Sequence, residues 1–241
     1  MINAIVQKLK WFYYISSDIR FENYLREKGV RIGKHFMVWT KMQFSIDLTR
    51  PWLIEIGDNV EITAGVTILT HGYDWCVIHH KTGEILGSAG KVKIGNNVFI
   101  GTKATILGGT TIGDNVIIGA NSLAKGELEP NSVYAGNPAR KIATLEEYIT
   151  KRQAKQLEEA VTLVNEYKKV YGHYPAAEKL DEFFWLFEDK LEDLNDAFRS
   201  KLKLRGNHEI SEAKFRQHKK LFDGYEDFLE YCKHQGTDNM V

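Results

Sequence analysis

Seven side chains able to bind or react crowd one short stretch of this 241-residue chain: His71, Tyr73, Asp74, Trp75, Cys76, His79 and His80. Imidazole exchanges protons near neutral pH, so a histidine here is a candidate general base toward a hydroxyl or an amine. Thiol and imidazole together are also zinc ligands. Flat aromatic rings can line a pocket for a small molecule. All seven fall in residues 69–93, where a regular sequence pattern is interrupted. Long loops in compact folds are commonly functional.

The interrupted pattern is a six-residue repeat. It reads Ile94-Gly-Asn-Asn-Val-Phe, Ile100-Gly-Thr-Lys-Ala-Thr, Ile106-Leu-Gly-Gly-Thr-Thr, Ile112-Gly-Asp-Asn-Val-Ile and Ile118-Gly-Ala-Asn-Ser-Leu. Such a period predicts a parallel β-helix. Three hexads make one triangular coil, with the aliphatic residue on the axis and the small residue after it at the corner. Each coil adds about 4.8 Å along the axis, and each buried Ile contributes roughly 1.5–3 kcal/mol. Upstream, Ile32, Val38, Phe44, Ile56, Ile62 and Ile68 keep one phase. Arg50 falls in that phase without suiting a core, so a bulge or bend is expected near Pro51. The 26 residues from Ile68 to Ile94 are not a multiple of six, so a loop must leave one corner between them.

The flanks have a different period. Ile2, Ile5, Val6, Leu9, Phe12 and Tyr13 share one helical face, and a second short helix is expected over 18–28. Together they read as a cap on the open first coil, whose strand edges would otherwise be unpaired. The same apolar face, in residues 2–13, also suits peripheral contact with a membrane surface. Beyond Ala143 glycine becomes sparse. Leu145, Ile149, Leu157, Val161, Val164 and Tyr167 predict a helix ending at Gly172. Leu180, Phe183, Phe184, Phe187, Leu191, Leu194, Phe198 and Leu202 predict a second long amphipathic helix. Phe215, Leu221, Phe222, Tyr225, Phe228 and Leu229 predict two short ones, broken at Asp223-Gly224. The expected segments are a helical cap over 1–29, the β-helix over 30–142 with its loop at 69–93, and a helical extension over 143–241 that serves packing or oligomerisation.

Lys plus Arg and Asp plus Glu each number 32, so net charge is zero, which argues against a nucleic-acid partner. No apolar run approaches the roughly 20 residues that span a bilayer. The N-terminal run Trp11–Ile15 is too short for a signal peptide. Cys76 and Cys232 form no CxxC pattern and read as reduced thiols of a cytoplasmic protein.

Five strings carry a resemblance: Ile56-Gly-Asp-Asn-Val60, Leu69-Thr-His-Gly-Tyr-Asp-Trp75, Ile94-Gly-Asn-Asn-Val-Phe-Ile-Gly101, Ile112-Gly-Asp-Asn-Val-Ile-Ile-Gly-Ala120 and Ala135-Gly-Asn-Pro-Ala-Arg140. They resemble the hexapeptide-repeat acetyltransferases, in particular the maltose and galactoside O-acetyltransferases and those of capsule and lipopolysaccharide O-antigen synthesis. The resemblance implies a mainly β fold, a left-handed parallel β-helix wound against the usual crossover rule. It implies a homotrimer with active sites between subunits, acetyl-CoA as donor and no metal. It implies His71 as general base. Asp74 is expected either to orient that imidazole or to cap the turn. Thr102, Ala120, Lys125 and Arg140 match or approach positions that hold CoA, although Lys125 stands one place earlier than the family's lysine. Trp39 stands where the maltose and galactoside enzymes have an acceptor-contacting Asn, and with Tyr73 and Trp75 it offers a platform for a sugar ring.

The expected reaction is O-acetylation of a carbohydrate, in surface polysaccharide synthesis, with N-acetylation of an amino sugar as the alternative. A rival resemblance is to the gamma-class carbonic anhydrases, because His35 and His71 are 36 residues apart, nominally two coils. That class needs HxxxxH, and Cys76 stands where the second His would be. A non-catalytic scaffold is the third reading.

Overall fold

Two of every six residues in the repeat point inward. In Val60-Glu61-Ile62 and Val98-Phe99-Ile100 the outer two side chains are buried and the middle one is not, the alternation of a strand with one face on a core. In the structure, a computed structural model describing residues 2–237, these strands stack into a parallel β-helix. The chain divides into two compact units, residues 1–148 and residues 149–241.

The first unit opens with helices α1 (Ile2–Ile15) and α2 (Asp18–Lys28). Coil one holds β1 (Arg31–Ile32), β2 (Met37–Val38) and β3 (Ser45–Ile46). Coil two holds β4 (Ile54–Ile56), β5 (Val60–Ile62) and β6 (Thr67–Ile68). The loop that follows carries α3 (Trp75–Thr82), a helix the hexad period does not anticipate. Coil three is β7 (Val92–Ile94), β8 (Val98–Ile100) and β9 (Thr105–Ile106). Coil four is β10 (Thr111–Ile112), β11 (Val116–Ile118) and β12 (Leu123–Ala124). Then come β13 (Glu127–Leu128), β14 (Ser132–Ala135) and β15 (Arg140–Thr144), the last turning antiparallel to β14. Three sheets result, ordered β1-β4-β7-β10-β13, β15-β14-β11-β8-β5-β2 and β12-β9-β6-β3.

One corner is held by asparagines. Asn59, Asn97, Asn115 and Asn131 all have φ near +55°, a left-handed conformation that asparagine tolerates better than most residues. Their amides form a ladder, Asn97 donating to Asn115 at 2.7 Å and Asn115 to Asn131 at 2.8 Å. The glycine two places earlier is required by close approach. A Cβ on Gly95 would stand 2.8 Å from the Gly113 carbonyl carbon and 2.4 Å from Asp114 Oδ1. Gly95→Ala is therefore expected to destabilise the β-helix by at least about 1–3 kcal/mol through overpacking, read as a fall in the denaturation midpoint.

Coils three and four keep the 18-residue interval, Ile94 pairing with Ile112. The first coils do not. Ile32 pairs with Ile56 and Ile56 with Ile94, intervals of 24 and 38 residues. The extra residues of coil one lie in turns at Lys41–Gln43 and Pro51–Leu53, the second at the bend expected near Pro51. The first turn corrects the phase assigned to Phe44. Ile46 pairs with Ile68, so Phe44 stands level with Val66. It also breaks the two-coil relation between His35 and His71. His35 takes the left-handed corner before β2, and His71 follows β6 at another corner.

Phe21 and Leu25 of α2 are buried in the same core as the axial stack, with Trp11 and Ile15 of α1 packed against it. Of the apolar stripe of α1, the side chains of Ile2, Ile5 and Val6 lie outside the described residues, and the rest does not make that contact. Its described members Leu9, Phe12 and Tyr13 are exposed.

The second helical part starts as the period indicates. Thr144 and Glu147 bond reciprocally to each other's backbone N–H at 3.2 and 2.7 Å, starting α4 (Leu145–Tyr171). Gly172, at φ +78°, follows its end. The long helix expected over 180–202 is not formed. Short 3-10 turns at Ala177–Leu180, Phe184–Leu186 and Leu191–Asp193 lead into α5 (Asp196–Leu202), then α6 (His208–Phe215) and α7 (Tyr225–Thr237). Most of its apolar residues are buried all the same, with Phe183 and Leu191 half-buried. Phe184 stacks on Phe198 at 4.7 Å, and Asn195 caps α5 through the Phe198 N–H. A folded-back path lets these rings surround one another, which a straight helix would prevent; packing outweighs the weak helical preference.

Candidate active site

The turn after β6 presents His71 beside a buried partner on the coil below. Its Nδ1 lies 2.5 Å from Asp47 Oδ2. Both side chains are largely enclosed, at 10% and 5% exposure. Asp47 directly follows β3, its N–H bonded to the Ile68 carbonyl at 2.9 Å. Asp47 Oδ1 accepts from the Thr49 N–H at 3.0 Å and hydroxyl at 2.6 Å. Its Oδ2 accepts from the Thr70 N–H at 3.2 Å and from the Thr70 hydroxyl. Burial alone would raise the Asp47 carboxyl, but these donors, Thr49 foremost, outweigh it and hold the group well below the usual carboxylate range. An ionised carboxylate only accepts, so His71 Nδ1 must carry the hydrogen and Nε2 is left with a free lone pair. Tyr73 meets the imidazole edge-on, centroids 4.8 Å apart at 76°.

The loop is tied back around this pair. Gly90 N–H bonds the Thr70 carbonyl at 2.8 Å, and Gly72 N–H bonds Ser88 Oγ at 3.0 Å. The Arg50 guanidinium holds the Ser88 carbonyl. A cleft of about 520 Å³ results, with His71, Asp74, Gly108 and Lys125 among its walls. The glycines let two strands of chain pass close together; a Cβ on Gly90 would be 2.3 Å from the Gly109 nitrogen.

The sequence-derived residues divide among several places. His71, Asp74 and Lys125 line this cleft. Asp74 neither orients the imidazole nor caps α3 with its side chain, which folds back to within 2.6 Å of where a Gly72 Cβ would stand. Asp47 has the orienting place instead. Tyr73 is 64% exposed on the rim, and Trp75 begins α3 half-buried. Trp39, Thr102 and Ala120 follow β2, β8 and β11 at another corner, with Trp39 Nε1 bonded to Glu61 at 2.5 Å. Arg140 begins β15, exposed. One chain therefore does not bring the residues matched to CoA together with His71, Lys125 excepted. The sequence does not point to Asp47 or Ser88 as site residues, shows Arg50 only as a misfit in the core phase, and shows Thr70 only as a member of the string around His71. At this corner Ile46 pairs with Ile68, an interval of 22, so Asp47 stands level with Leu69 and no fixed spacing joins it to His71.

A family model described as bacterial transferase hexapeptide (six repeats) matches residues 91–126. Protein CapG of Staphylococcus aureus is 35% identical over 158 residues, covering 61% of this chain and 90% of that protein. Galactoside O-acetyltransferase of Escherichia coli (strain K12) is 38% identical over 117 residues, covering 47% of this chain and 53% of that protein. The chain thus spans about half the length of that enzyme. A hexapeptide-repeat acetyltransferase from Vibrio cholerae O1 biovar eltor, solved with acetyl coenzyme A, aligns at TM-score 0.42 and 28% identity, covering 49% of this chain and 61% of that one.

Proposed function

The chain belongs to the bacterial hexapeptide-repeat transferases, and on that premise we propose that it moves an acetyl group from acetyl-CoA to a carbohydrate hydroxyl, in a precursor of a surface polysaccharide. The observation that carries the reading is the Asp47–His71 pair at a cleft. A sugar hydroxyl is a poor nucleophile at neutral pH. His71 Nε2 takes its proton as the oxygen attacks the thioester carbonyl. Asp47 holds the imidazole in that tautomer and stabilises the imidazolium. Collapse of the tetrahedral intermediate then breaks the C–S bond, and the proton passes from His71 to the departing sulfur. The galactoside O-acetyltransferase match supports the class of acceptor, and acetyl-CoA as donor supports a cytoplasmic setting.

In this reading the coils wind left-handed and three copies associate. The corner bearing Thr102 and Ala120, with Arg140, then forms the CoA-binding wall opposite a neighbour's His71. Light scattering should give three times 27.6 kDa. An active monomer removes the shared site. The function itself is tested by thiol release from acetyl-CoA across nucleotide sugars, oligosaccharides and amino sugars. Release with a hydroxyl acceptor and an O-acetyl product supports it. An N-acetyl product alone replaces it with N-acetylation, and release with no acceptor in the panel overturns the carbohydrate reading.

Tyr73 tests the acceptor side. With its ring edge on His71, Tyr73→Ala is expected to raise acceptor KM by about tenfold, roughly 1–3 kcal/mol for a lost contact. The KM for acetyl-CoA should stay within about twofold if the subsites are independent. A fall in kcat shared by every acceptor would instead assign Tyr73 to holding the loop.

A further inference from the structure

Helix α1 is amphipathic in the reverse sense to a helix that merely covers a core. Trp11 and Ile15 pack inward, Trp11 meeting Phe21 at 6.2 Å and Tyr24 at 6.0 Å. Tyr14 lies against Tyr24 at 4.6 Å. The stripe read from the sequence lies on the other side, where Leu9, Phe12 and Tyr13 are 64%, 55% and 56% exposed. Ile19, at the start of α2, is 72% exposed. Large apolar side chains grouped on an open face mark an interaction surface.

The charge around that face is mainly positive. Residues 1–17 contain no Asp or Glu, but include Lys8 and Lys10. Lys10 is exposed. The Arg20 guanidinium stands 4.4 Å over the Tyr13 ring. The first acids are already paired, Asp18 with Lys41 at 2.6 Å and Glu22 with Arg26 at 2.5 Å. Aromatic and aliphatic residues beside an excess of cations suit the boundary between acyl chains and anionic headgroups. A second copy laid face to face would instead set these cations against each other, which is unfavourable.

We infer that the outward face of α1, built on Leu9, Phe12 and Tyr13 with Lys10 and Arg20 beside it, docks this protein on an anionic lipid bilayer. The helix lies on the surface and does not cross it; no helix among the described residues is long and apolar enough to do so. The inference stands independently of the acyl-transfer reading.

The test is sedimentation of the full chain with vesicles of phosphatidylcholine, with and without phosphatidylglycerol. Partitioning should be at least about tenfold stronger on the anionic vesicles, since each cation near an anionic surface strengthens binding. It should weaken as salt is raised. The triple variant Leu9→Ser, Phe12→Ser, Tyr13→Ser should lose about tenfold or more. Lys10→Glu with Arg20→Glu should abolish the preference for anionic lipid. These side chains are exposed, so both variants should melt with the parent; a variant that does not fold is replaced by the single Phe12→Ser. Wild-type protein left in the supernatant with anionic vesicles overturns the inference, as does equal sedimentation of wild type and triple variant. A change in oligomeric mass of the triple variant without vesicles would assign the face to a second copy and equally overturn it.

Discussion

His71→Ala is expected to lower kcat by about 10²–10⁴, with the KM for acetyl-CoA nearly unchanged. In the proposed reaction the imidazole acts while the hydroxyl proton is in flight, so its loss should fall on the transition state and not on donor binding. The geometry sharpens the expectation. Because Nδ1 is committed to Asp47, only Nε2 can serve, and no other histidine is among the cleft residues. His79 does not replace it: it sits on α3 with its Nδ1 3.1 Å from the Gly83 carbonyl. Steady-state kinetics with a competent acceptor decides the matter. Wild-type kcat in the variant would remove His71 from the mechanism, and a rise in donor KM with kcat intact would reassign it to CoA binding.

Asp47→Asn is expected to cost roughly 10² or more in kcat and, separately, about 1–3 kcal/mol in stability. Both effects follow from one count. The carboxylate accepts from the backbone and hydroxyl of Thr49, the backbone and hydroxyl of Thr70, and His71 Nδ1. An amide has one accepting atom. Its NH2 would face donors on whichever side it pointed, and no rotamer serves both threonines and the imidazole. The kinetic part is separated by a double variant. If Asp47 acts through His71, Asp47→Asn in a His71→Ala background should lower kcat little further. Multiplication of the two losses would mean that Asp47 only supports the fold.

The stability part depends on pH. The folded-state carboxyl of Asp47 is depressed, so its contribution is complete above the ordinary carboxylate pKa near 4 and is lost as pH falls through the lower folded value. The Asn variant lacks that titration. Wild-type and variant stability should therefore converge as the solution is made strongly acid.

The hexad period by itself determined the core of this molecule. Ile94, Ile100, Ile106, Ile112 and Ile118 lie on the axis where a six-residue repeat puts them, because the repeat is set by local chain geometry and is independent of distant partners. The same is true of α4, whose start and stop are written in Thr144, Glu147 and Gly172. His71 was legible too, since its neighbours Leu69 to Trp75 form a continuous string.

Asp47 was not legible, and neither were Ser88 and Arg50. They gather around the His71 turn only after the chain has run 22 residues from Ile46 to Ile68 and the loop has returned to Gly90, lengths set by turns that carry no period. The path of residues 180–202 was decided in the same way. Its three-and-four spacing suits a helix, yet Phe184, Phe187 and Phe198 bury more fully by folding back on one another. The outward stripe of α1 completes the pattern. Periodicity gathers Leu9, Phe12 and Tyr13 on one face, but only the packing of Trp11 and Ile15 shows which face meets the core. Local sequence sets what each segment can form; which of its surfaces is covered depends on partners brought from far along the chain.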